Sequence, residues 1–476
     1  MPPTSIEFIH DRLAFDNPWW ALQPGRPVSF RQPPKRTLFA DFAAGFQAAK
    51  NGAMVLAGPR RGGKTVMLRQ LIALLIEKGR KPDGLPPHHL LYVSLTTPSY
   101  TMASLAELID AFRARHGHAV DARLGVFLDE AQYAPDWLEQ LRALAAAYPN
   151  SRFVAAVSAG APRDPDPELL VYQLPPLSFM EYLRLRGSER VLFGDAAARP
   201  GSAIVLHEHQ LPVLNEEFVS YINYGGFPEG ILPKTQAVPA PTFVRDGLAD
   251  RVLHKDLAVL GGISDTHELN RLFTLLARGG GEETGIETLA RATGIAKNTV
   301  RKYLDYLESA HLIHRVRRVD RDAKPFQRAV AFKAYLTSPC LHAALFGPTA
   351  PGDPAFAGLV ETAVAAQWLG SASAADLAYA SWRRGAIDLL AFDQRSGRPD
   401  LLFEIDWADA HADSARGPVT VGKFARANCP AAPVQILTRS VARPVSLRGL
   451  SVRLIPASLY CYLLGREILP HRVTTP

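Results

Sequence analysis

The octapeptide Gly58 to Thr65, GPRRGGKT, constrains this chain more than any other stretch. Its glycines at 58 and 63 stand at the spacing G-x-x-x-x-G-K-[ST], which lets backbone amides curl around a phosphate while the following helix presents its positive end. A buried-looking apolar run, AMVLAG, precedes it, and a periodic run, KTVMLRQLIALLIEKG, follows. Strand, glycine-rich turn and helix form the context in which such a loop holds a nucleotide. Gly58, Pro59, Arg60, Arg61, Gly62 and Gly63 are expected to surround the phosphates, Lys64 to reach the β- and γ-phosphates, and Thr65 to ligate Mg²⁺.

A second signal lies in VFLDEAQ, where an apolar run leads to Asp129 and Glu130 at a strand's end. One carboxylate, Asp129, can orient Mg²⁺ through water. Its neighbour Glu130 can polarise the attacking water, which is the division of labour that phosphoryl transfer needs. Glu130 and Lys64 are therefore the expected catalytic pair, with ATP as substrate and Mg²⁺ as its companion. Ser158, ending the run FVAAVS, either senses the γ-phosphate or serves a structural end; the pattern leaves both open. Arg163, on the next loop, reads first as a solvated surface arginine and second as a finger toward a neighbour's nucleotide.

At 476 residues the chain is too long for one core, and the length prior suggests about three domains. With 47% hydrophobic and 21% charged residues it has the make-up of an ordinary soluble protein. Its longest apolar runs, such as LIALLI, fall well short of the roughly 18 residues of a membrane span. Glu7 and Asp11 stand where a signal peptide would need a basic start and an apolar core, so no membrane association and a cytoplasmic location are expected. Cys340, Cys429 and Cys461 are odd in number and far apart, which favours buried thiols over disulfides or a zinc site. The net charge of +7 permits a nucleic-acid partner without requiring one.

AMVLAG, LLYVSL, GVFLDE and RFVAAVS read as buried parallel strands, with KTVMLRQLIALLIEKG and APDWLEQLRALAAAY as crossing helices. That predicts a three-layer α/β domain. Seams are expected at VPAPTF from Val238, RGGGEETG from Arg278 and FGPTAPGDPAF from Phe346.

GPRRGGKT, LDEAQ, PLSFMEYL from Pro176 and NYGGFPEG from Asn223 together resemble a large prokaryotic group of AAA-superfamily ATPases, over most of the chain beyond residue 35. PLSFMEYL and GGFPE are the discriminating pieces, since the phosphate loop is shared by many families. The resemblance implies a P-loop AAA-type core followed by a helical lid, a winged helix and a small α/β domain like a restriction endonuclease. The expected boundaries are an N-terminal extension at 1–35, the core at 36–185, the lid at 186–275, the winged helix-turn-helix at 276–338 and the nuclease-like domain at 339–476. Such ATPases usually carry a Gly-Arg pair shortly before the PLSF segment. Here DPDPELLVYQLPPL has none, so the arginine that would act in trans is unidentified.

TLARATGIAKNTVRKYLDYLESAHLI places Ala290, Gly294 and Val300 at the spacing by which two helices cross closely. The second helix would expose Lys297, Asn298, Thr299, Arg301 and Lys302, residue types that touch phosphates and base edges; Lys297, Asn298, Arg301 and Lys302 are the candidate DNA contacts. HRVRRVDRDAKPFQRAVAF alternates like a hairpin with Arg315, Arg317 and Arg318 before a turn at Asp320 to Lys324. Acidic Asp305, Glu308, Asp320 and Asp322 dilute this face, so docking to a protein is the competing expectation.

Farther on, Glu361 on a helix, Asp388 on one strand and Glu404 on the next form a partial nuclease set. A nuclease of that type needs a lysine two residues after the second acid, to steady the nucleophile and the growing phosphate charge. Here Asp406 stands there and adds repulsion. Lys423 could reach back from a helix but reads as solvated. A degenerate site retained for binding or assembly is therefore expected. The whole predicts an ATP-hydrolysing, DNA-associated regulator, with a protein-interaction switch (partner protein or homo-oligomer) and an ATP-gated nuclease as alternatives.

Overall fold

Five short parallel strands form the sheet of the N-terminal part of the protein. In the computed structural model the described residues are 6–22, 33–49, 52–79, 81, 84–100, 103–162, 169–197, 202–231, 265–326, 331–370, 377–383, 385–393, 395–410, 419–447, 450–467 and 472–473. Arg163 and the VPAPTF seam lie outside them. By internal packing the chain forms two units, residues 1–174 with 470–476, and residues 175–469.

The first unit holds β1 (Ala53–Ala57), β2 (Leu90–Ser94), β3 (Gly125–Asp129), β4 (Arg152–Val157) and β5 (Leu170–Gln173), with β15 (Arg472–Val473) at one edge. The order is β15-β5-β1-β4-β3-β2; β1 to β5 are parallel and β15 antiparallel. Successive side chains in a strand point to opposite faces. Met54 and Leu56 accordingly join Met67, Leu68, Leu71 and Ile72 of helix Lys64–Lys78. Val55 and Ala57 join the layer of helices Leu105–His116 and Trp137–Ala147. This is the expected three-layer α/β arrangement. Helix Ile6–Asp16 adds Ile9 and Leu13 to the second layer. Asn17 then pairs with the β2 edge, donating to Tyr92 O at 2.9 Å and accepting from Tyr92 N at 2.6 Å, which covers strand groups that would otherwise be open to other chains.

In the second unit one sheet runs β13-β14-β12-β11-β10-β9-β7-β8-β6. Its strands are β6 (Glu283–Thr284), β7 (Ile313–Val319), β8 (Phe332–Leu336), β9 (Leu377–Trp382), β10 (Gly385–Phe392), β11 (Pro399–Asp406), β12 (Val434–Thr438), β13 (Arg443–Leu447) and β14 (Leu450–Pro456). The hairpin β7–β8 and the strands of the acid-bearing segment share this sheet, because β7 pairs in parallel with β9 from Arg317 to Val319. Val316 and Tyr335 of the hairpin lie in the same apolar cluster as Phe403 and Leu437.

PLSFMEYL and GGFPE meet here. Ser178 and Glu181 form a capping box at the start of helix Phe179–Arg186, each bonding the other's backbone N–H. Leu177 N donates to Gly226 O at 2.7 Å, and Tyr221 OH donates to Leu177 O at 2.9 Å. Cys340, Cys429 and Cys461 are buried free thiols, as expected. No helix among the described residues is long and apolar enough to cross a membrane.

Candidate functional site

β1 is buried at every position and delivers the chain into the glycine-rich loop. A Cβ on Gly58 would stand 2.2 Å from the Leu174 carbonyl oxygen, so only glycine fits. Gly63, with φ 103°, turns the chain into helix Lys64–Lys78 through a conformation that L side chains rarely adopt. Arg36, itself buried, braces the loop by donating to Gly62 O at 2.7 Å.

Lys64 is 4% exposed, and its Nζ donates to the carbonyls of Gly58 and Pro59 at 2.9 Å each and to Ser158 Oγ at 2.8 Å. Ser158 Oγ passes the contact on, donating to the Glu130 carboxylate at 2.9 Å. The sheet order explains this relay. With β4 between β1 and β3, the residue just past β4 falls between the lysine after β1 and the glutamate after β3.

Glu130 adopts φ 56° and ψ 47°, a left-handed conformation costing a non-glycine residue about 1–3 kcal/mol unless its surroundings enforce it. Gln132 is part of that enforcement: Nε2 donates to Glu130 at 2.5 Å and Oε1 accepts from Ser158 N at 3.2 Å. Burial works against the Glu130 charge, yet Lys64 and Arg60, with hydrogen bonds from Gln132 and Ser158, hold the carboxyl below the usual range. These contacts favour the ionised form of the side chain.

Thr65 Oγ1 donates to Asp129 Oδ2 at 2.6 Å, and Tyr92 OH donates to the same oxygen at 2.8 Å. Burial and the charge of Glu130 push the Asp129 carboxyl up, against the two hydroxyls and Lys64. Its other oxygen, Oδ1, is buried without a hydrogen-bond partner. A threonine hydroxyl beside a carboxylate with an orphaned oxygen is a hard-oxygen donor set that suits Mg²⁺. The structure therefore brings Lys64, Thr65, Asp129, Glu130 and Ser158 to one end of the sheet. Gln132 and Tyr92 received no role from the sequence, although Gln132 lies inside the quoted LDEAQ.

In the helix-turn-helix, helices Ile286–Thr293 and Lys297–Ser309 flank Gly294, whose φ is 75°, and Val300 is fully buried. Lys297, Asn298, Arg301 and Lys302 are exposed, and Thr299 is half-buried. Lys297 pairs with Glu287 at 2.7 Å, and Arg301 donates to Asn298 Oδ1 at 2.7 Å. The hairpin arginines are more committed. Arg315 is held by Asp305 at 2.6 Å and Glu308 at 2.5 Å, and Arg318 by Glu283 at 3.2 Å and the Ser381 carbonyl.

Glu361 on helix Phe356–Leu369, Asp388 on β10 and Glu404 on β11 lie close together: beyond burial, the charge of Asp388 helps to push up the Glu361 carboxyl, and the charges of Asp388 and Glu361 that of Glu404. The cation absent from position 406 comes from elsewhere. Lys333 on β8 reaches Glu361 Oε1 at 2.6 Å and the Asp388 carbonyl at 3.5 Å, and Tyr335 OH donates to the same Glu361 oxygen at 2.5 Å. Lys333 received no role from the sequence: β8 enters the acid cluster through sheet pairing, which no local spacing reveals. Burial lifts Glu361 to about 7 despite Lys333. Burial and the charges of Asp388 and Glu361 push the Glu404 carboxyl up. Asp388 Oδ2 accepts from Ile405 N at 2.9 Å, and Asp406 turns aside to accept from Ala410 N at 2.9 Å. Lys423 is exposed on its helix. Among the described residues no three His, Cys, Asp or Glu side chains are arranged to hold a metal ion.

Residues 50–183 match the family profile of an AAA domain, and residues 215–351 that of a domain of unknown function. An uncharacterized protein of Haemophilus influenzae is 22% identical over 290 residues, covering 58% of this chain and 65% of its own length. An uncharacterized protein of Methanocaldococcus jannaschii is 24% identical over 282 residues, covering 56% of this chain and 57% of its own length. The chain thus aligns with less than two thirds of either relative. Among solved structures, C. elegans PCH-2 superposes with a TM-score of 0.30 at 12% identity, covering 56% of this chain and 67% of that one. Drosophila ORC bound to DNA superposes with 0.24 at 16% identity, covering 73% and 93%. Superpositions this loose do not bear on what the chain does. The first unit is a mixed α/β fold with a parallel five-strand sheet, and the stretch from 50 to 183 within and just beyond it is similar to an AAA domain.

Proposed function

We propose that the chain binds ATP with Mg²⁺, hydrolyses it, and uses the cycle in a DNA-associated regulatory task. The observation that carries the hydrolytic part is the relay Lys64–Ser158–Glu130 beside the Thr65–Asp129 pair, all within the first unit. Lys64 exchanges the Gly58 and Pro59 carbonyls for β- and γ-phosphate oxygens. Glu130, ionised and aimed by Gln132, orients and polarises the water that attacks the γ-phosphorus. Ser158, in contact with both, reports whether the γ-phosphate is present. Thr65 and Asp129 would hold Mg²⁺, which supplies charge neutralisation across the β- and γ-oxygens.

The DNA part rests on exposed Asn298, Arg301 and Lys302 on the second helix of the helix-turn-helix. The double change Arg301→Ala with Lys302→Ala is expected to weaken duplex binding and to flatten its salt dependence, since each phosphate contact adds about 0.9 to the slope of log affinity against log salt. Titrations at several salt concentrations check it. Salt-insensitive or absent binding by the wild type would make this surface a protein dock, a reading favoured by the neutralised arginines Arg315 and Arg318.

For the acid cluster the proposal is a nuclease-like site without catalysis. An Asp388 oxygen is taken by a backbone N–H, Glu361 is held by Lys333, and burial with neighbouring charge pushes the Glu404 carboxyl up, against the ionised form a metal would need. The expected result is no Mg²⁺- or Mn²⁺-dependent cleavage of DNA or RNA, with or without ATP. Robust cutting that disappears in Asp388→Ala would overturn this. The experiment that tests the main reading is the ATPase rate measured alone and with single- or double-stranded DNA. Stimulation supports the DNA-associated role, DNA-independent turnover supports the protein switch, and no turnover at all ends both.

A further inference from the structure

Arg60 is the third residue of GPRRGGKT, and its guanidinium does not point to open water. It is 12% exposed, stacks over the Tyr133 ring at 5.8 Å, donates to the Tyr133 hydroxyl and lies 3.9 Å from Glu130 Oε2. Lys64, Ser158, Glu130 and Arg60 therefore follow one another along the mouth of the loop. A second fixed cation stands beside the carboxylate that handles the water. A γ-phosphate positioned between Lys64 and that water comes within the reach of the same side chain, because Arg60 springs from the loop that holds the phosphates. Guanidinium matches a phosphate better than a carboxylate held at 3.9 Å, since its planar fork can make two parallel N–H···O bonds.

We infer that Arg60 is an arginine finger in cis: it leaves Glu130 and Tyr133 for the γ-phosphate oxygens, frees Glu130 for water, and completes the hydrolytic site within one chain. The inference rests on the ATPase reading. In the step it serves, the water oxygen bonds to the γ-phosphorus as the bond to the β–γ bridging oxygen breaks. That electron pair leaves with ADP, and the water proton passes to Glu130 and then to the departing phosphate. Arg60 stabilises the charge on the γ-oxygens and exchanges no proton.

An arginine finger is worth about 10³–10⁵ in turnover in comparable sites. Arg60→Ala should therefore lower kcat at least about 10²-fold while the Kd for a fluorescent ATP analogue stays within a few-fold. Arg60→Lys should recover part of the rate, because it restores the charge without the fork. Wild-type specific activity should be the same at low and high protein concentration. Lys64→Ala is run beside them. If the wild type turns over ATP and Lys64→Ala does not, the ATPase reading stands. Unchanged kcat in Arg60→Ala, a loss of binding in place of rate, or specific activity that climbs with protein concentration then overturns the cis finger alone. Absence of wild-type turnover overturns both.

Discussion

Lys64→Ala is expected to abolish tight ATP binding and, with it, turnover. Lys64 Nζ is buried against Gly58 O, Pro59 O and Ser158 Oγ, so the change removes both the charge for the β- and γ-phosphates and the brace that shapes the loop around them. Removing one charge-stabilising group of this kind lowers rates on the order of 10²–10³-fold even where binding survives. Glu130→Gln should behave differently. The amide keeps the size of the side chain and can still meet Ser158 and Gln132, but it cannot take a proton. Affinity should persist while turnover falls by roughly 10²–10⁴-fold, the usual worth of a general base. Equilibrium binding of a fluorescent ATP analogue and release of inorganic phosphate separate the two effects. Unchanged turnover in both variants would remove the ATPase assignment.

Lys333→Met should be among the most destabilising single changes in the second unit. Lys333 and Glu361 have side chains 11% and 14% exposed and meet at 2.6 Å, with Tyr335 on the same oxygen. Breaking a buried pair by removing one partner costs about 3–5 kcal/mol, because the remaining charge is left uncompensated. The cost should depend on pH in a definite direction. The Glu361 carboxyl sits at about 7, raised by burial and lowered by Lys333, so loss of the lysine pushes it higher. Below that value the carboxyl is protonated in both folded proteins and little is lost. Above it the wild type keeps an ion pair while the variant must bury a lone carboxylate or bind an extra proton, and the penalty grows. Urea unfolding at pH 6 and pH 8 checks this, and the double change Lys333→Met with Glu361→Gln should recover much of the loss. Equal destabilisation at both pH values would show that Lys333 matters through packing and not charge.

The strand, glycine-rich turn and helix around Gly58 to Thr65 were legible because the signal is local. Gly58 to Thr65 are contiguous, their flanks announce strand and helix, and backbone amides need no distant partner to curl around a phosphate. Asp129 and Glu130 were legible for a similar reason, at the end of one apolar run. Ala290, Gly294 and Val300 revealed the helix-turn-helix because two adjacent helices cross by local spacing alone. Continuous short apolar runs likewise marked β1 to β4 as buried strands, whereas short β5 was not read.

Tertiary structure decided which of these residues act on one another. No spacing tells that β4 inserts between β1 and β3, so the contacts of Ser158 with Lys64 and Glu130 appear only in the fold. The sequence shows that Asp305 and Glu308 dilute the basic face, but only the fold pairs them with Arg315, and Glu283 with Arg318. Lys333 carried no signal at all, being 28 residues from Glu361 in sequence and on a hairpin assigned to other work. A sequence displays how many charges a chain has and where they fall along it. Which charges are paired depends on strand order and sheet pairing, which are set by burial of whole faces summed over the chain, and no short window contains that sum.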